Sequence, residues 1–216
     1  MPILTSFLIV CAASLFAVLV YMMMKLKAVG TPTCGHQINL EARPEKCLVV
    51  IDVQEDFTRN TGKNAFDPVA RDGALERIAD EIRTARSRDE HVVFITNVFR
   101  DWPVVLAMKL VTGGIGTPGR QGLRLDRMLD VAEGPVFEKS IGDSFSNSKF
   151  EDWLEQQNIG HLTLVGLDAC HCVQLTAKGG RSRGFRVEIL EAATLTTRPD
   201  KWAALKGPLR AAGVVV

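Results

Sequence analysis

The polar and apolar positions of this chain fall into two regimes. From Ile3 to Met24 no residue carries a charge. Wound as a helix, that run spans about 30 Å, the thickness of a bilayer's hydrocarbon core. A soluble core helix is rarely apolar all round over such a length. A cleaved signal peptide would put its basic residues ahead of the apolar core and small residues at a cleavage site. Here Lys25 and Lys27 follow the run and Tyr21 lies near its end, so residues 1–27 read as a retained transmembrane anchor. Residues 28–45, with Pro32, Gly35 and Pro44 among mixed polar positions, read as a linker that contacts little.

From residue 46 the pattern changes to short apolar runs alternating with amphipathic stretches. Continuous apolar runs predict buried strands over 47–53, 92–98, 135–138, 161–167 and 186–190, with an edge strand at 214–216. Period-3.6 patterning predicts helices over 73–88, 123–131, 149–157, 172–183 and 200–212. In the first of these Leu75, Ile78, Ala79, Ile82 and Ala85 share one face. Ser146 or Ser148 is the candidate cap of the 149–157 helix. Strands alternating with helices predict an α/β three-layer sandwich: a mostly parallel, doubly wound sheet with helices on both faces, in one domain over 46–216. Ligands of such sheets bind at the carboxyl ends of the strands.

Composition narrows the function. Hydrophobic residues make up 46% and charged residues 24%, with a formal net charge of +1. That is enough apolar material for a packed core, and it leaves no basic stripe for nucleic acid. The five cysteines are odd in number and include no C-x-x-C pair, so no disulfide framework is expected. Lys25, Lys27, Arg43 and Lys46 follow the apolar run. They predict a single-pass protein with its folded domain in the cytoplasm, where thiols stay reduced.

Three reactive side chains end three predicted strands: Asp52 the first, Lys139 the third and Cys172 the fourth. Each alone has an ordinary reading: a turn aspartate, a solvated lysine, a small core cysteine. Together they place an acid, a base and a thiol on one edge, the makings of an activated nucleophile. Cys172 falls at a helix start, where the dipole favours thiolate, and Lys139 would favour it further. Asp52 could take the thiol proton and return it to a leaving amine.

Four stretches carry a resemblance to the isochorismatase-like cysteine hydrolases, the superfamily of nicotinamidases and N-carbamoylsarcosine amidases. They are 48–57 with Asp52, the Gly-Thr-Pro-Gly of 116–119, 138–145 with Lys139, and 166–186. The last holds Cys172, Thr176-Ala177 and Gly184-Phe185. The resemblance implies a catalytic triad of Asp52, Lys139 and Cys172. It also implies a cis peptide between Leu167 and Asp168, and an oxyanion hole from the backbone N–H groups of Asp168 and Cys172. The implied chemistry is hydrolysis of small amides and carbamoyl compounds through a thioester. Phe57, Arg100, Trp102, Asp168 and His171 are the candidate pocket residues. The implied partners are a small-molecule substrate, the membrane and further copies of the chain in a dimer or larger homo-oligomer.

Three features depart from that pattern. Nicotinamidases carry an Asp-x-His and further histidines after the second strand, which bind a metal. This chain reads Asn97-Val98-Phe99-Arg100-Asp101-Trp102, so neither a metal nor any other cofactor is expected. Asp168 would set a carboxylate beside a developing oxyanion, and Gly179-Gly180 interrupts the helix after the nucleophile at about 1 kcal/mol per glycine. Gly114-Ile115-Gly116-Thr117-Pro118-Gly119 matches a dinucleotide fingerprint, but it falls in mid-domain with Pro118 where the turn should open a helix. The leading reading is a membrane-anchored cysteine hydrolase of a C–N bond. The alternatives are vinyl ether hydrolysis, as isochorismatases perform, and a non-catalytic scaffold of the same fold.

Overall fold

The computed structural model describes residues 2–60, 65–129, 131 and 134–216. Helix α1 (Pro2–Val29) leads into an extended strap and then strand β1 (Glu45–Ile51). There follow α2 (Glu55–Thr58), α3 (Pro68–Ser87), β2 (His91–Asn97), α4 (Trp102–Thr112) and β3 (Val136–Lys139). The second half runs α5 (Ser148–Gln156), β4 (Ile159–Leu167), α6 (Gln174–Ser182), β5 (Arg186–Leu195), α7 (Pro199–Ala211) and β6 (Val214–Val215).

All strand pairs are parallel, in the order β3-β2-β1-β4-β5-β6. The chain winds outward from β1 in one direction and from β4 in the other, so the strand order reverses between β1 and β4. That switch point opens a crevice at the carboxyl ends of the two strands. Alternate residues of β1 feed two cores. Cys47, Val49 and Ile51 pack with Phe150 of α5, Ala177 of α6 and Trp202 of α7. Leu48 and Val50 pack with Leu75, Ile78 and Ile82 of α3. A sheet buried on both faces needs such continuous apolar runs, and each fully buried Leu or Ile contributes about 1.5–3 kcal/mol.

The structure corrects the sequence reading in four places. No helix forms over 123–131, of which Asp130 lies outside the described residues; Gln121–Leu123 makes a single 3-10 turn instead. The following Asp126 is buried and takes Thr58 Oγ1 at 2.5 Å and Arg59 Nε at 2.8 Å. Contacts distant in sequence therefore hold this segment. Helix α4 was not foreseen, because apolar residues on both of its faces hide the helical period. It starts with Pro103 in its first turn and ends at Gly113, whose φ of 71° is the left-handed value glycine accommodates. Strand β5 runs five residues beyond the expected 190, past the polar Glu191.

The fourth correction concerns the linker. Thr33 donates from its N–H (2.7 Å) and its hydroxyl (2.8 Å) to Asp143 Oδ2, and Ile38 N–H donates to Arg183 O at 2.8 Å. Val29 O accepts from Gly142 N–H at 3.0 Å. Buried Asp143 and the end of α6 thus hold the strap down. The paired glycines of α6 are explained by close packing. A Cβ on Gly179 would collide with the Asp143 carboxylate, and one on Gly180 would press on Val187 at 3.1 Å.

Candidate active site

The crevice at the switch point is a cavity of about 480 Å³. Its catalytic-type residues come from three strand ends. Asp52 directly follows β1 with φ of 56°, a conformation sparsely populated for residues other than glycine, asparagine and aspartate. Its N–H is held by Ile95 O (2.9 Å) and its carbonyl by Gln54 N–H (2.8 Å), which fix the carboxylate over the strand ends. Lys139, the last residue of β3, places Nζ 2.8 Å from Asp52 Oδ2. Both residues are 3% exposed. Asp52 Oδ1 is buried with no N–H or O–H partner, and Cys172 lines the same cavity, close enough to bear on the ionisation of both residues.

Cys172 lies in a wide turn over Ala169–Val173, just before α6. Val173 N–H bonds Asp168 O at 3.2 Å across five residues, a π-type turn of the kind found at functional sites. The Leu167–Asp168 peptide bond is cis. Asp168 caps this turn: its Oδ1 accepts from Cys170 N–H at 2.7 Å and from Thr196 Oγ1 at 3.1 Å. Cys170 is buried in the wall, its thiol donating to Arg198 O at 3.5 Å. Cys172 faces the cavity. The two thiols, two residues apart, are thus separated by environment.

Burial sets the charges. It raises the Asp52 carboxyl above the usual carboxylate range, against the pull of Lys139 and the hydrogen bonds. Burial lowers the Lys139 ammonium, but the Asp52 and Cys172 charges outweigh it and leave its pKa above the ordinary lysine value. Burial first, and the Asp52 carboxylate second, push the Cys172 thiol well up despite Lys139. Burial and the Asp52 charge thus favour the neutral thiol of Cys172 over the thiolate expected at the helix start, beside a buried Lys–Asp ion pair.

The cavity walls are mostly apolar: Phe57, Phe66, Phe99, Met108, Ile115 and Leu167 line it. The polar exceptions include Asn97, Asp168, His171 and Arg198. Asn97 is 1% exposed, and neither its Oδ1 nor its Nδ2 has a hydrogen-bond partner. Gln54 clamps its backbone, with Oε1 accepting from Asn97 N–H at 2.6 Å and Nε2 donating to Asn97 O at 3.4 Å. His171 contacts the Arg198 guanidinium. Burial, then Arg198 and Lys201, hold its pKa below the ordinary value against the pull of Asp168.

Arg100 and Trp102 do not line this cavity. Arg100 pairs with Glu138 (Nε–Oε1 2.8 Å), and Trp102 stacks on Tyr21 of α1 with ring centroids 6.3 Å apart. The chain turns inward at Phe99, and the start of α4 then carries Arg100 and Trp102 to the outer side. The sequence reading missed Thr197 and Arg198 because it ended β5 too early, so they were not placed at the carboxyl edge. Asn97 was the last residue of a recognised strand, and its position there was the available signal.

Known structures share this architecture. A pyrazinamidase/nicotinamidase from Streptococcus mutans UA159 superposes with a TM-score of 0.68 at 18% identity, covering 79% of this chain and 99% of that one. A pyrazinamidase of Pyrococcus horikoshii, solved in complex with zinc, gives 0.67 at 18% identity, covering 80% and 98%. An N-carbamoylsarcosine amidase from Thermoplasma acidophilum gives 0.66 at 24% identity, covering 80% and 95%. At these identities the likeness establishes the fold. The sequence model of the isochorismatase domain matches residues 46–216, which takes in every strand and the whole cavity floor, and the chain therefore belongs to the isochorismatase family of hydrolases.

Proposed function

We propose that this chain is a cysteine hydrolase of small amide, carbamoyl or ureido compounds, tethered to a membrane by α1. The observation that carries this reading is the buried Lys139–Asp52 ion pair at the cavity that Asp52 and Cys172 both line. Asp52, raised by burial, is a stronger base than an ordinary carboxylate and accepts the Cys172 proton as sulfur attacks the substrate carbonyl carbon. Lys139 stays protonated and balances the negative charge. The backbone N–H groups of Asp168 and Cys172, at the turn that opens α6, receive the oxyanion. The C–N bond breaks as Asp52 returns the proton to the leaving nitrogen. Water then attacks the thioester with Asp52 again as base, releasing the acid and the Cys172 thiol.

Asn97 favours a C–N substrate over a vinyl ether. Its unpaired amide offers an N–H donor and a carbonyl acceptor inside a mostly apolar cavity. A carboxamide or ureido group matches both, and a buried group left unpaired costs about 1–3 kcal/mol. The proposed chemistry involves no metal ion. No group of three His, Cys, Asp or Glu side chains converges among the described residues, and Asp101 is paired with Lys25 at 3.1 Å. The anchor reading rests on α1, a 28-residue helix long and apolar enough to cross a bilayer. Lys25 and Lys27 at its end support a catalytic domain on the cytoplasmic side.

The test is a screen of the detergent-solubilised full chain against small amides, ureas and carbamates, with ammonia detection. Release from at least one compound, retained after EDTA treatment, is the expected result. Loss on chelation with rescue by zinc, or turnover of vinyl ethers alone, would overturn this reading.

A further inference from the structure

Every described side chain of α1 from Ser6 to Leu19 is exposed, and the domain first covers the helix at Val20 and Met22. With α1 as the anchor proposed above, the part of the helix free of the domain ends near Tyr21. At that level Tyr21 stacks on Trp102, and Lys25 pairs with Asp101 at 3.1 Å. Tyrosine and tryptophan favour that depth, where a ring lies at the boundary of acyl chains and headgroups. Helix α4 starts from this junction. Trp102, Leu106, Leu110 and Val111 form a stripe at helical spacing and are 50%, 44%, 78% and 75% exposed. Among the described residues, these are half of the eight large apolar side chains exposed outside α1. An exposed apolar stripe on a soluble surface needs an occupant. Lys109 stands exposed beside the stripe, suited to an anionic headgroup. The opposite face of α4 supplies Met108 and Thr112 to the catalytic cavity.

We propose that α4 is a second membrane contact: an interfacial helix that lays this stripe into the headgroup–acyl boundary beside α1. One helix, about 10 Å thick, then separates the bilayer from the substrate cavity. The inference rests on the membrane anchoring proposed above and extends it, because it fixes the domain against the bilayer with the cavity wall at the surface. The continuity of the stripe with the Tyr21–Trp102 pair is what points to lipid as its occupant.

The test uses the full chain in phosphatidylcholine–phosphatidylserine vesicles whose acyl chains carry bromine, a contact quencher of tryptophan. Of the three tryptophans, Trp153 and Trp202 lie on α5 and α7. Wild type should therefore lose about a third of its emission relative to unbrominated vesicles, and Trp102→Phe almost none of its remainder. Leu110→Glu with Val111→Glu, two exposed positions outside the cavity lining, should cut the quenching at least about twofold while flotation persists. Flotation without Trp102-dependent quenching would overturn the α4 contact and leave the anchor standing. If the chain fails to float, or carbonate extracts it, both readings fall. Conversion of a detergent-solubilised dimer to monomer by the double variant, with no quenching in wild type, would assign the stripe to a second copy and overturn the proposal.

Discussion

Asp52 and Lys139 are shut away at strand ends beneath the cavity that Cys172 faces, while Trp102, Leu106, Leu110 and Val111 stand in the open on the helix that walls the same cavity. The first region buries charge and the second exposes apolar surface. Both invert the usual distribution, and such inversions mark positions kept for something other than stability. The difference lies in what supports each. The floor is over-determined: a strand end, a neighbouring carbonyl or a countercharge holds every group. The outer stripe makes few contacts beyond Tyr21, and what completes it lies outside the folded domain. Substitutions on the floor should therefore be costly in both stability and turnover, whereas those on the stripe should leave stability nearly unchanged.

The largest effect is expected at Lys139. Lys139→Ala leaves the Asp52 carboxylate buried without its countercharge, a loss of about 3 kcal/mol that chemical denaturation would measure. A change under about 0.5 kcal/mol would mean that the floor is as tolerant as the surface. Asp52→Asn should instead separate stability from chemistry. The Asp52 carboxylate opposes ionisation of Cys172, so removing it while Lys139 remains should speed site-specific alkylation of Cys172 about tenfold or more while abolishing turnover. The same logic sets the pH profile. Asp52 must be ionised to act as base, and burial holds its pKa above the ordinary carboxylate value. The acid limb of kcat/KM should accordingly lie above about pH 4, and Lys139, held above its ordinary value, should place no alkaline limb below about pH 10.

Asn97→Ala should raise KM about tenfold with kcat changed less, since the amide is proposed to bind substrate rather than move protons. A smaller effect is expected at the strap. Thr33→Ala removes one of the two bonds to Asp143 Oδ2, worth about 1–2 kcal/mol at neutral pH. Burial holds the folded pKa of Asp143 above the ordinary value, and the Thr33 bonds pull it down. The variant's deficit should therefore be full above that raised pKa and shrink as pH falls toward the ordinary carboxylate value of about 3.9. Urea titrations at the two pH values would show it.

The same contrast governs what could be read from the sequence. The central strands of the floor were visible because a strand buried on both faces must be apolar throughout, and a charged residue at its end then stands out, as Asp52 does; Lys139 ends the short edge strand β3. Helix α4 was invisible because its exposed stripe is also apolar, which removes the polar face that periodicity needs. The strap and the 123–131 segment were misread for another reason. Their conformations depend on single buried carboxylates, Asp143 and Asp126, that meet partners far away in sequence. The glycines of α6 were recognisable as anomalous, but only the position of Asp143 shows why a side chain at Gly179 is excluded.

The measurement that tests the central claim most directly is acid-quenched mass spectrometry during turnover of a substrate found in the ammonia screen. It should find an acyl adduct on the peptide carrying Cys172, absent in Cys172→Ser together with activity, and retained in Cys170→Ser with most activity intact. An adduct on Cys170, or undiminished turnover by Cys172→Ser, would contradict the assignment of the nucleophile and with it the proposed mechanism.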